Sequence, residues 1–359
     1  MDSKQISEFR DRLIEWFHEN RRDLPWRQTS DPYKIWVAET MLQQTQVSKV
    51  IPYYNRFILR FPTVQALAKA PLSKVLKAWE NLGYYARARN LHKAARQIVR
   101  HGNGEFPGEM QTIRALPGIG PYTAAAILSI AFGQDYALVD GNVIRVLTRI
   151  TRYGGNPRDS QGKKHLARMA EDFLARGQAG DYNQAVMELG ATVCVPTNPH
   201  CQECPVAHLC QANLHAEQHL YPVRTPVKKR PHYVIAAGII LQGDRILIAR
   251  RPDDGLLGGL WEFPGGKVED GETPEQAVLR EVKEELDVIV RVEKLFTTIK
   301  HQYTHFTITL NAFLCQYVSG QPRAIGCTDW RWVKKEELAN YAFPRANGKI
   351  IEQLLTATD

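Results

Sequence analysis

The feature that most constrains the fold is a change in sequence pattern at residues 221–231. This segment holds three prolines and four basic residues, which disfavour helix and sheet and keep the backbone solvated. Before it, apolar residues recur at helical spacing, as in residues 6–17. After it, residues 234–241 are rich in β-forming side chains, and residues 306–314 alternate as a strand does. We therefore predict a multidomain chain with an all-α domain at 1–220, a connector at 221–231 and an α+β domain at 232–359.

The positive charge lies before the last domain. The chain has 359 residues and a net charge of +8, with +7 in residues 1–220, +4 in the connector and −3 after it. Between Glu39 and Glu105 only Glu80 is acidic, against eleven Lys and Arg. Such a stretch suits a phosphate backbone or a set of solvated helix faces, and charge alone leaves both open.

Neither a membrane span nor an export signal is expected. No apolar run approaches the ~20 residues that a span needs, and the first residues lack the apolar segment of a signal peptide. We therefore expect a cytoplasmic chain, in which cysteines are mostly free thiols or metal ligands.

Four cysteines lie close together near residue 200, namely Cys194, Cys201, Cys204 and Cys210. They contain one Cys-x-x-Cys pair, whereas a zinc site usually has two. An all-cysteine iron–sulfur cluster accepts such uneven spacing, and two disulfides would be the alternative in a secreted protein. Cys315 and Cys327 lie in the other domain and are expected to be inert core thiols.

A glycine-bearing turn at residues 116–124 is predicted to join two helices. Its glycines allow backbone N–H groups to approach a phosphate, as in a helix–hairpin–helix that contacts DNA without reading sequence. Two carboxylates also stand out: Glu39 in an apolar helix, and Asp140 between an apolar run and a helix. The ordinary interpretations are an exposed helix acid for Glu39 and an N-cap for Asp140.

In this order, the helices, the hairpin, Asp140 and the cysteine spacing resemble the endonuclease III superfamily of DNA glycosylases, and within it the MutY-type adenine glycosylases. The matching segments are residues 24–27, 39–47, 82–91, 139–143 and 188–191. The resemblance implies a helix–hairpin–helix glycosylase domain, a [4Fe–4S] cluster on the four cysteines, and a monomer acting on duplex DNA. Its lobes would be a six-helix barrel at about 28–135 and an iron–sulfur lobe from 1–27 and 136–220.

The resemblance also implies a reaction, the removal of adenine opposite 8-oxoguanine or G in base-excision repair. Glu39 would protonate N7 of adenine from an apolar pocket and later activate water. Asp140, kept ionised by Asn142 and nearby amides, would stabilise the sugar cation, and Tyr122 would position Asp140 and the sugar. Lyase relatives carry a lysine where Tyr122 stands, so strand cleavage is not expected. This residue disfavours the runner-up, a pyrimidine-specific glycosylase/lyase.

Other residues match the family's base and DNA contacts. The adenine pocket would comprise Trp26, Arg27, Leu42, Gln184 and Glu188. Gln44 would fill the gap left by the flipped base and Tyr84 would wedge beside the opposite base, with Arg87 and Arg89 for phosphates; a core tyrosine is the alternative for Tyr84. The remaining DNA contacts would be Thr45, Leu82, Gly118 and Gly120.

Residues 266–288 form a Nudix box in which Asp287 replaces the usual glycine. Glu281, Glu284 and Glu285 share one helix face and can hold Mg²⁺ against a diphosphate, or they form ion pairs with Arg280 and Lys283. The resemblance implies a domain similar to the 8-oxo-dGTP hydrolase MutT that recognises 8-oxoguanine in DNA. The recognition residues would be Tyr303, Thr304 and His305, where the family commonly has Phe-Ser-His.

Because the box is nearly complete, Mg²⁺-dependent nucleoside triphosphate hydrolysis is an additional possible activity of this domain. Two further readings are a Nudix hydrolase that uses its first domain for targeting, and an iron–sulfur redox sensor that binds DNA. Both are disfavoured, because neither function needs Glu39 and Asp140 together.

Overall fold

The computed structural model describes residues 1–102, 104–223, 230–303 and 305–356. They form two compact units, the first from residues 1–69 and 93–223 and the second from residues 70–92 and 230–356. The described residues contain fourteen α-helices and seven β-strands. No helix among them is both long and apolar enough to cross a membrane.

The first unit is helical, as the sequence predicts. Its helices are α1 (Ser3–Asn20), α2 (Pro32–Leu42), α3 (Val47–Arg60), α4 (Val64–Lys69), α7 (Met110–Arg114), α8 (Pro121–Phe132), α9 (Gly141–Thr151), α10 (Ser160–Phe173), α11 (Ala179–Thr192) and α12 (Gln211–Leu214). Helix α6 (Ala86–His101) begins in the second unit and ends in the first, and α5 (Leu72–Ala78) lies in the second.

A single hydrophobic core joins helices of the first unit to the segment that contains the cysteines. The apolar stripe of α1, with Phe9, Leu13 and Phe17 all buried, joins Tyr182 and Leu189 of α11 in a single hydrophobic cluster. Phe9 packs edge-on against Tyr182, with ring centroids 6.5 Å apart. Burying aromatic rings of this size makes a large contribution to stability. This contact therefore stabilises the packing of α1 against α11.

The predicted hairpin is present between α7 and α8. Gly118 adopts φ +79°, a left-handed conformation that residues with a Cβ rarely take. Gly120 is the N-cap of α8, and Pro121 occupies its first turn, where the missing N–H costs nothing. The turn therefore ends with open backbone donors at the start of α8.

The second unit contains a mixed sheet. Its strands are β1 (His232–Gln242), β2 (Arg245–Arg250), β3 (Trp261–Glu262), β4 (Gly265–Lys267), β5 (Val288–Gln302), β6 (Thr307–Gly320) and β7 (Asp329–Lys334). The order is β3-β2-β1-β6-β5, with β4 paired to β1 and β7 paired to β2. Strand β1 runs parallel to β6 and antiparallel to β2.

Each face of this sheet carries a helix. Successive side chains of a strand point to opposite faces. Ile239 accordingly packs with Ile350 of α14 (Arg345–Thr356), and Ile240 packs with Val282 of α13 (Pro274–Leu286). Five successive residues of β1 are buried because both faces of the strand are covered. This helix–sheet–helix arrangement confirms the α+β class.

Residues 70–92 belong to the second unit by their contacts, although they lie within the predicted helical domain. Lys77 Nζ donates to the carbonyl of Tyr341 at 2.9 Å, and the N–H of Phe343 donates to Glu80 Oε1 at 3.1 Å. A boundary drawn from sequence pattern follows chain continuity and does not include such long-range bonds.

Asp287, the departure from the Nudix box, ends α13. It adopts φ 56°, and its N–H donates to the carbonyl of Lys283. A left-handed residue here explains why glycine is usual at this position, and aspartate is among the residues that tolerate it.

Candidate active site

One cavity of about 670 Å³ in the first unit is lined by all of the predicted catalytic and adenine-pocket residues and by four of the predicted DNA contacts. This size is typical of a small-molecule site. The predicted residues that line it are Trp26, Arg27, Glu39, Leu42, Gln44, Thr45, Gly118, Gly120, Tyr122, Asp140, Asn142, Gln184 and Glu188. The fold thus unites carboxylates, pocket residues and hairpin glycines from separate parts of the sequence.

Glu39 lies inside this cavity rather than on the surface. The residue is only 5 % exposed, and Tyr122 donates its hydroxyl to Glu39 Oε2 at 2.7 Å. Burial raises the pKa of Glu39 to about 7; the Tyr122 bond opposes this, Asp140 adds to it and Arg27 opposes it. Glu39 can therefore hold a proton near neutral pH.

Asp140 is at once the N-cap of α9 and part of the cavity wall. Its Oδ1 accepts from the backbone N–H groups of Asn142 and Val143, both at 2.8 Å, and its Oδ2 accepts from Asn142 Nδ2 at 2.9 Å. Burial raises the pKa of Asp140, while these hydrogen bonds and Arg145 lower it. The capping role and a role in the cavity are thus compatible, because the helix N-terminus favours the charged carboxylate.

Two residues that the sequence reasoning did not single out hold Asn142 in place. Arg145 Nη2 donates to Asn142 Oδ1 at 2.7 Å and to the carbonyl of Gly190 at 2.6 Å. A Cβ on Gly190 would lie 2.6 Å from Asn142 Cβ, so only glycine lets α11 approach α9 this closely. In the sequence, Arg145 follows Asn142 by one helical turn, and this spacing could have identified it as a partner of Asn142.

Tyr122 lies in the predicted cavity and is hydrogen-bonded to Glu39. Its hydroxyl bonds to Glu39, rather than to Asp140, and also lies 3.4 Å from Met187 Sδ. Burial, followed by the charges of Glu39 and Asp140, raises the pKa of Tyr122 well above its usual value. Tyr122 therefore stays a hydrogen-bond donor, and no lysine lies among the described residues that line the cavity.

Glu188 is bound by two arginines. Its side chain is 1 % exposed and pairs with Arg22 at 2.7 Å and Arg27 at 2.8 Å. Burial by itself raises the pKa of Glu188, but the hydrogen bonds from Arg22 and Arg27 outweigh burial and lower the pKa to about 2. Arg22 lacks any motif of its own, and sequence reasoning missed it.

The four clustered cysteines line a second, apolar site with Val146 and Leu189. Burial raises the pKa of Cys204 to about 12 and of Cys210 to about 11, so neutral thiols are favoured until a metal centre supplies positive charge. Arg149 Nη1 donates to Cys194 Sγ at 3.3 Å. No group of three or more His, Cys, Asp or Glu among the described residues is arranged to hold a single metal ion. Four cysteine sulfurs around one apolar space are the kind of donor set that an all-cysteine iron–sulfur cluster accepts.

The predicted wedge, Tyr84, lies at an exposed turn. It is 36 % exposed with φ 48° and follows Gly83 at φ 82°, so it is not the core tyrosine of the alternative. Arg87 is 8 % exposed and stacks against the ring of Tyr84 at 5.4 Å. Its Nη2 donates to the carbonyl of Gly83 at 3.1 Å.

Arg87 and Arg89, the predicted phosphate contacts, both make hydrogen bonds within the second unit. Arg87 braces the turn from inside, and Arg89 Nη1 donates to the carbonyl of Gly258 at 2.6 Å. Leu82 is buried, whereas Gln44, at the end of α2, is exposed with φ 56°.

A cavity of about 430 Å³ in the second unit contains part of the Nudix box. Glu262, Glu281 and Glu285 line it together with Tyr303. Burial, then the charges of Glu262 and Glu281, raises the pKa of Glu285 to about 8.

The other box residues form ion pairs, as the structural alternative predicts. Arg280 binds Glu272 at 2.9 Å, Glu281 at 3.0 Å and Glu284 at 3.3 Å. Tyr303 stacks on Phe306 with ring centroids 4.8 Å apart, and His305 is exposed. Thr304 lies outside the described residues.

Comparison with known proteins assigns the family. Residues 37–172 match the HhH-GPD superfamily of base excision DNA repair proteins, residues 194–210 the iron–sulfur binding domain of endonuclease III, and residues 236–353 the NUDIX domain. Adenine DNA glycosylase of Rattus norvegicus is 34 % identical over 97 % of this chain and 78 % of its own length. The Buchnera aphidicola (strain APS) enzyme is 32 % identical over 95 % of each chain. The chain belongs to the adenine DNA glycosylase family.

Solved structures agree with this assignment. A thermostable thymine-DNA glycosylase is 31 % identical, with a TM-score of 0.55 over 59 % of this chain and 98 % of its own. Endonuclease III in a DNA complex, 23 % identical with a TM-score of 0.52 over 60 % of this chain and 98 % of its own, shows the same fold. The predicted adenine glycosylase activity, the helix–hairpin–helix and Nudix-like domains and the iron–sulfur site of this enzyme are thereby confirmed.

Proposed function

We propose that this adenine DNA glycosylase removes adenine opposite 8-oxoguanine or G, with Glu39 as general acid and Asp140 as the stabilising carboxylate. The observation that carries the proposal is a pair of carboxylates in one cavity, buried Glu39 and half-buried Asp140, with different partners. Glu39 has a pKa raised to about 7, whereas Asp140 accepts three hydrogen bonds. Cleavage of a glycosidic bond needs one proton donor and one stable negative charge.

The proton step uses the acid in the apolar wall. As the bond from C1′ to N9 breaks, its electron pair moves into adenine, and a proton from Glu39 to N7 makes adenine a better leaving group. Tyr122 holds Oε2 of the carboxyl, so Oε1 is the oxygen that would face the base. After departure the Glu39 carboxylate can accept a proton from the attacking water.

Asp140 acts on the sugar. Its charge stabilises the positive C1′ that develops as the bond breaks, or bonds to it transiently. Asn142 supports this by two of the three hydrogen bonds. Because no lysine lines the cavity among the described residues, we propose that the enzyme is monofunctional and leaves an abasic site.

Contact with duplex DNA would use exposed elements around this chemistry. The target base must leave the stack before it can enter a cavity. We propose that Gln44 fills the vacated position, with Thr45 next to it in the chain, and that Tyr84 wedges at the opposite base. The backbone at Gly118 and Gly120 would bind phosphate at the start of α8.

The iron–sulfur centre is proposed to be a [4Fe–4S] cluster, held by Cys194, Cys201, Cys204 and Cys210. Such a cluster takes four thiolates, and these four sulfurs line one apolar site. Iron and sulfide analysis of the purified enzyme, with Cys201→Ser as comparison, tests the ligand set. Two irons per chain, or no loss in Cys201→Ser, would contradict it.

A single-turnover assay on a duplex with A opposite 8-oxoguanine, followed by alkali, tests the catalytic proposal. Wild type should give a cleaved strand only after alkali, and Glu39→Gln should give almost none. Glu15→Gln, which alters an exposed acid of α1, is the matched control. Equal cleavage by wild type and Glu39→Gln would refute the role of Glu39, and cleavage without alkali would refute monofunctionality.

Lesion recognition is proposed to involve Tyr303, Thr304 and His305. Tyr303 has a half-buried aromatic ring and a hydroxyl. Such a ring can stack on a nucleobase. The measurement is the ratio of rates opposite 8-oxoguanine and opposite G. Tyr303→Ala should lower this ratio and Tyr303→Phe should keep the stacking part; an unchanged ratio in Tyr303→Ala would exclude the residue.

A second candidate function is Mg²⁺-dependent hydrolysis of 8-oxo-dGTP in the Nudix-like domain. The observation that favours it is Glu285 Oε2, which is buried without a hydrogen-bond partner among the described residues. With Glu281 it would hold the cation, and the cation would supply the countercharge that this cavity lacks. The full chain should release pyrophosphate from 8-oxo-dGTP with Mg²⁺; no release above a Glu285→Gln control ends the idea.

A further inference from the structure

Glu188 has no acceptor position left for a base. Its Oε1 accepts from the backbone N–H of Arg22 at 3.0 Å and from Arg22 Nε at 2.7 Å. Its Oε2 accepts from Arg22 Nη2 at 2.7 Å and from Arg27 Nη2 at 2.8 Å. A carboxylate offers about four lone-pair sites, so these four bonds saturate it.

Arg27 is the residue that these bonds hold against the cavity. Its Nη1 donates to the carbonyl of Arg22 at 3.1 Å, and its guanidinium lies 5.1 Å from the ring centroid of Phe17. Two terminal nitrogens and one flat face are thus fixed by Glu188, Arg22 and Phe17. A guanidinium clamped in this way loses little further side-chain entropy when a base arrives.

The same bonds set the charge that faces Glu39. The charged or titratable groups around Glu39 are Arg27 from residues 25–27, Tyr122 from α8 and Asp140 at the start of α9. Arg27 is the cation among them, and it favours the ionised form of Glu39. Glu188, which pairs with Arg27 directly, offsets that cation in a buried site where charges are weakly screened.

We propose that Glu188 is a positioning residue rather than an adenine contact, and that with Arg22 it fixes the Arg27 guanidinium at the cavity wall and offsets its charge at Glu39. The proposal rests on the role of Glu39 as the general acid. It also adds Arg22, through its grip on Glu188, to the residues that the reaction requires.

The two partners should shift the pH profile in opposite directions. Glu188→Gln leaves Arg22 and Arg27 without an anion, so the ionised form of Glu39 is favoured and its pKa falls. The alkaline limb of the single-turnover rate should then move down by on the order of one pH unit. Arg22→Gln removes one cation and keeps the anion, so the limb should move up by a smaller amount.

The experiment uses the full chain with its cluster, on DNA with A opposite 8-oxoguanine, at enzyme in excess. Glu39→Gln is measured first, because an active Glu39→Gln enzyme would overturn the proposed function and not this inference. Glu217→Gln is the matched control, since Glu217 pairs with Arg152 at 2.8 Å and does not line the cavity. Thermal unfolding and cluster absorbance confirm that each variant is folded.

A lower alkaline limb in Glu188→Gln, with Glu217→Gln unchanged, supports the inference. If Glu188→Gln lowers the rate equally at every pH and the alkaline limb stays at its wild-type pH, the inference is overturned and Glu188 has only a structural role. If Glu188→Gln fails to fold, Arg22→Gln decides, because Arg22 is 37 % exposed in its side chain. A raised limb then supports the proposal, and an unmoved one overturns it.

Discussion

The two units each bury carboxylates in a cavity, but they balance the charge differently. In the cavity of the first unit, Glu39 accepts a hydrogen bond from Tyr122, and Asp140 accepts hydrogen bonds from Asn142 and Val143. In the second unit Glu285 faces Glu262 and Glu281, and one of its oxygens lacks a partner among the described residues.

This difference separates two uses of a raised pKa. The pKa of Glu39 is raised chiefly by burial, and it is partly lowered by the hydrogen bond from Tyr122 and by the charge of Arg27. The pKa of Glu285 is raised by burial and then by like charges. The surroundings of Glu39 therefore favour one bound proton on that acid. The repulsion between Glu285 and its acidic neighbours is lowered when Glu285 binds a proton or when a divalent cation binds.

The largest effect should come from the proton donor of the first cavity. Glu39→Gln should lower the single-turnover rate of adenine removal by about 10³-fold, because general acid catalysis is lost while the shape is kept. DNA affinity, measured by a mobility shift, should stay within a factor of about three, because DNA affinity comes mainly from phosphate contacts. A large loss of affinity would show that Glu39 acts in binding instead.

The same substitution should stabilise the protein at alkaline pH. Glu39 has a folded pKa of about 7 against 4.5 when unfolded, so the native state binds the proton more tightly and stability falls as pH rises between these values. Glu39→Gln should thus raise the free energy of unfolding by on the order of 3 kcal/mol above about pH 7 and by little below about pH 4. Denaturant unfolding at both pH values measures this; a pH-independent change would contradict the buried-acid interpretation.

Asn142→Ala should move the acid limb of the rate profile. Losing the Nδ2 bond raises the pKa of Asp140, and Asp140 must be ionised to act, so activity should be lost at a higher pH than in wild type. We expect roughly a tenfold lower rate on the acid limb and a smaller loss at the optimum. Asn20→Ala, at the exposed end of α1, is the control; an equal loss at every pH would indicate positioning alone.

The smallest effect should come from Mg²⁺ at the second cavity. At a concentration tenfold above its Kd, Mg²⁺ should stabilise the DNA-free enzyme by about 1.4 kcal/mol. Thermal unfolding should show this shift in wild type and in Glu269→Gln, an exposed acid, but not in Glu285→Gln. Equal shifts in all three would place the cation elsewhere and break the contrast between the cavities.

Motifs that act through nearby backbone could be predicted from sequence. The left-handed Gly118, the N-cap Asp140 and the four cysteines need only their own neighbours along the chain, and the structure places all of them as expected. Partners from distant segments could not be predicted. Arg89 has the sequence character of a phosphate contact, yet its Nη1 donates to the carbonyl of Gly258, 169 positions away.

The sequence by itself determined the helical and α+β domains, which local periodicity and turn chemistry encode within a few residues. The proposed cluster ligands and the two proposed catalytic acids came from the order of motifs shared with a known family. Only the tertiary structure decided which groups surround each acid. Arg22 meets Glu188 across 166 positions, and Tyr122 meets Glu39 across 83. Since burial and partners set a carboxylate's charge, the chemistry of these residues was determined by long-range packing.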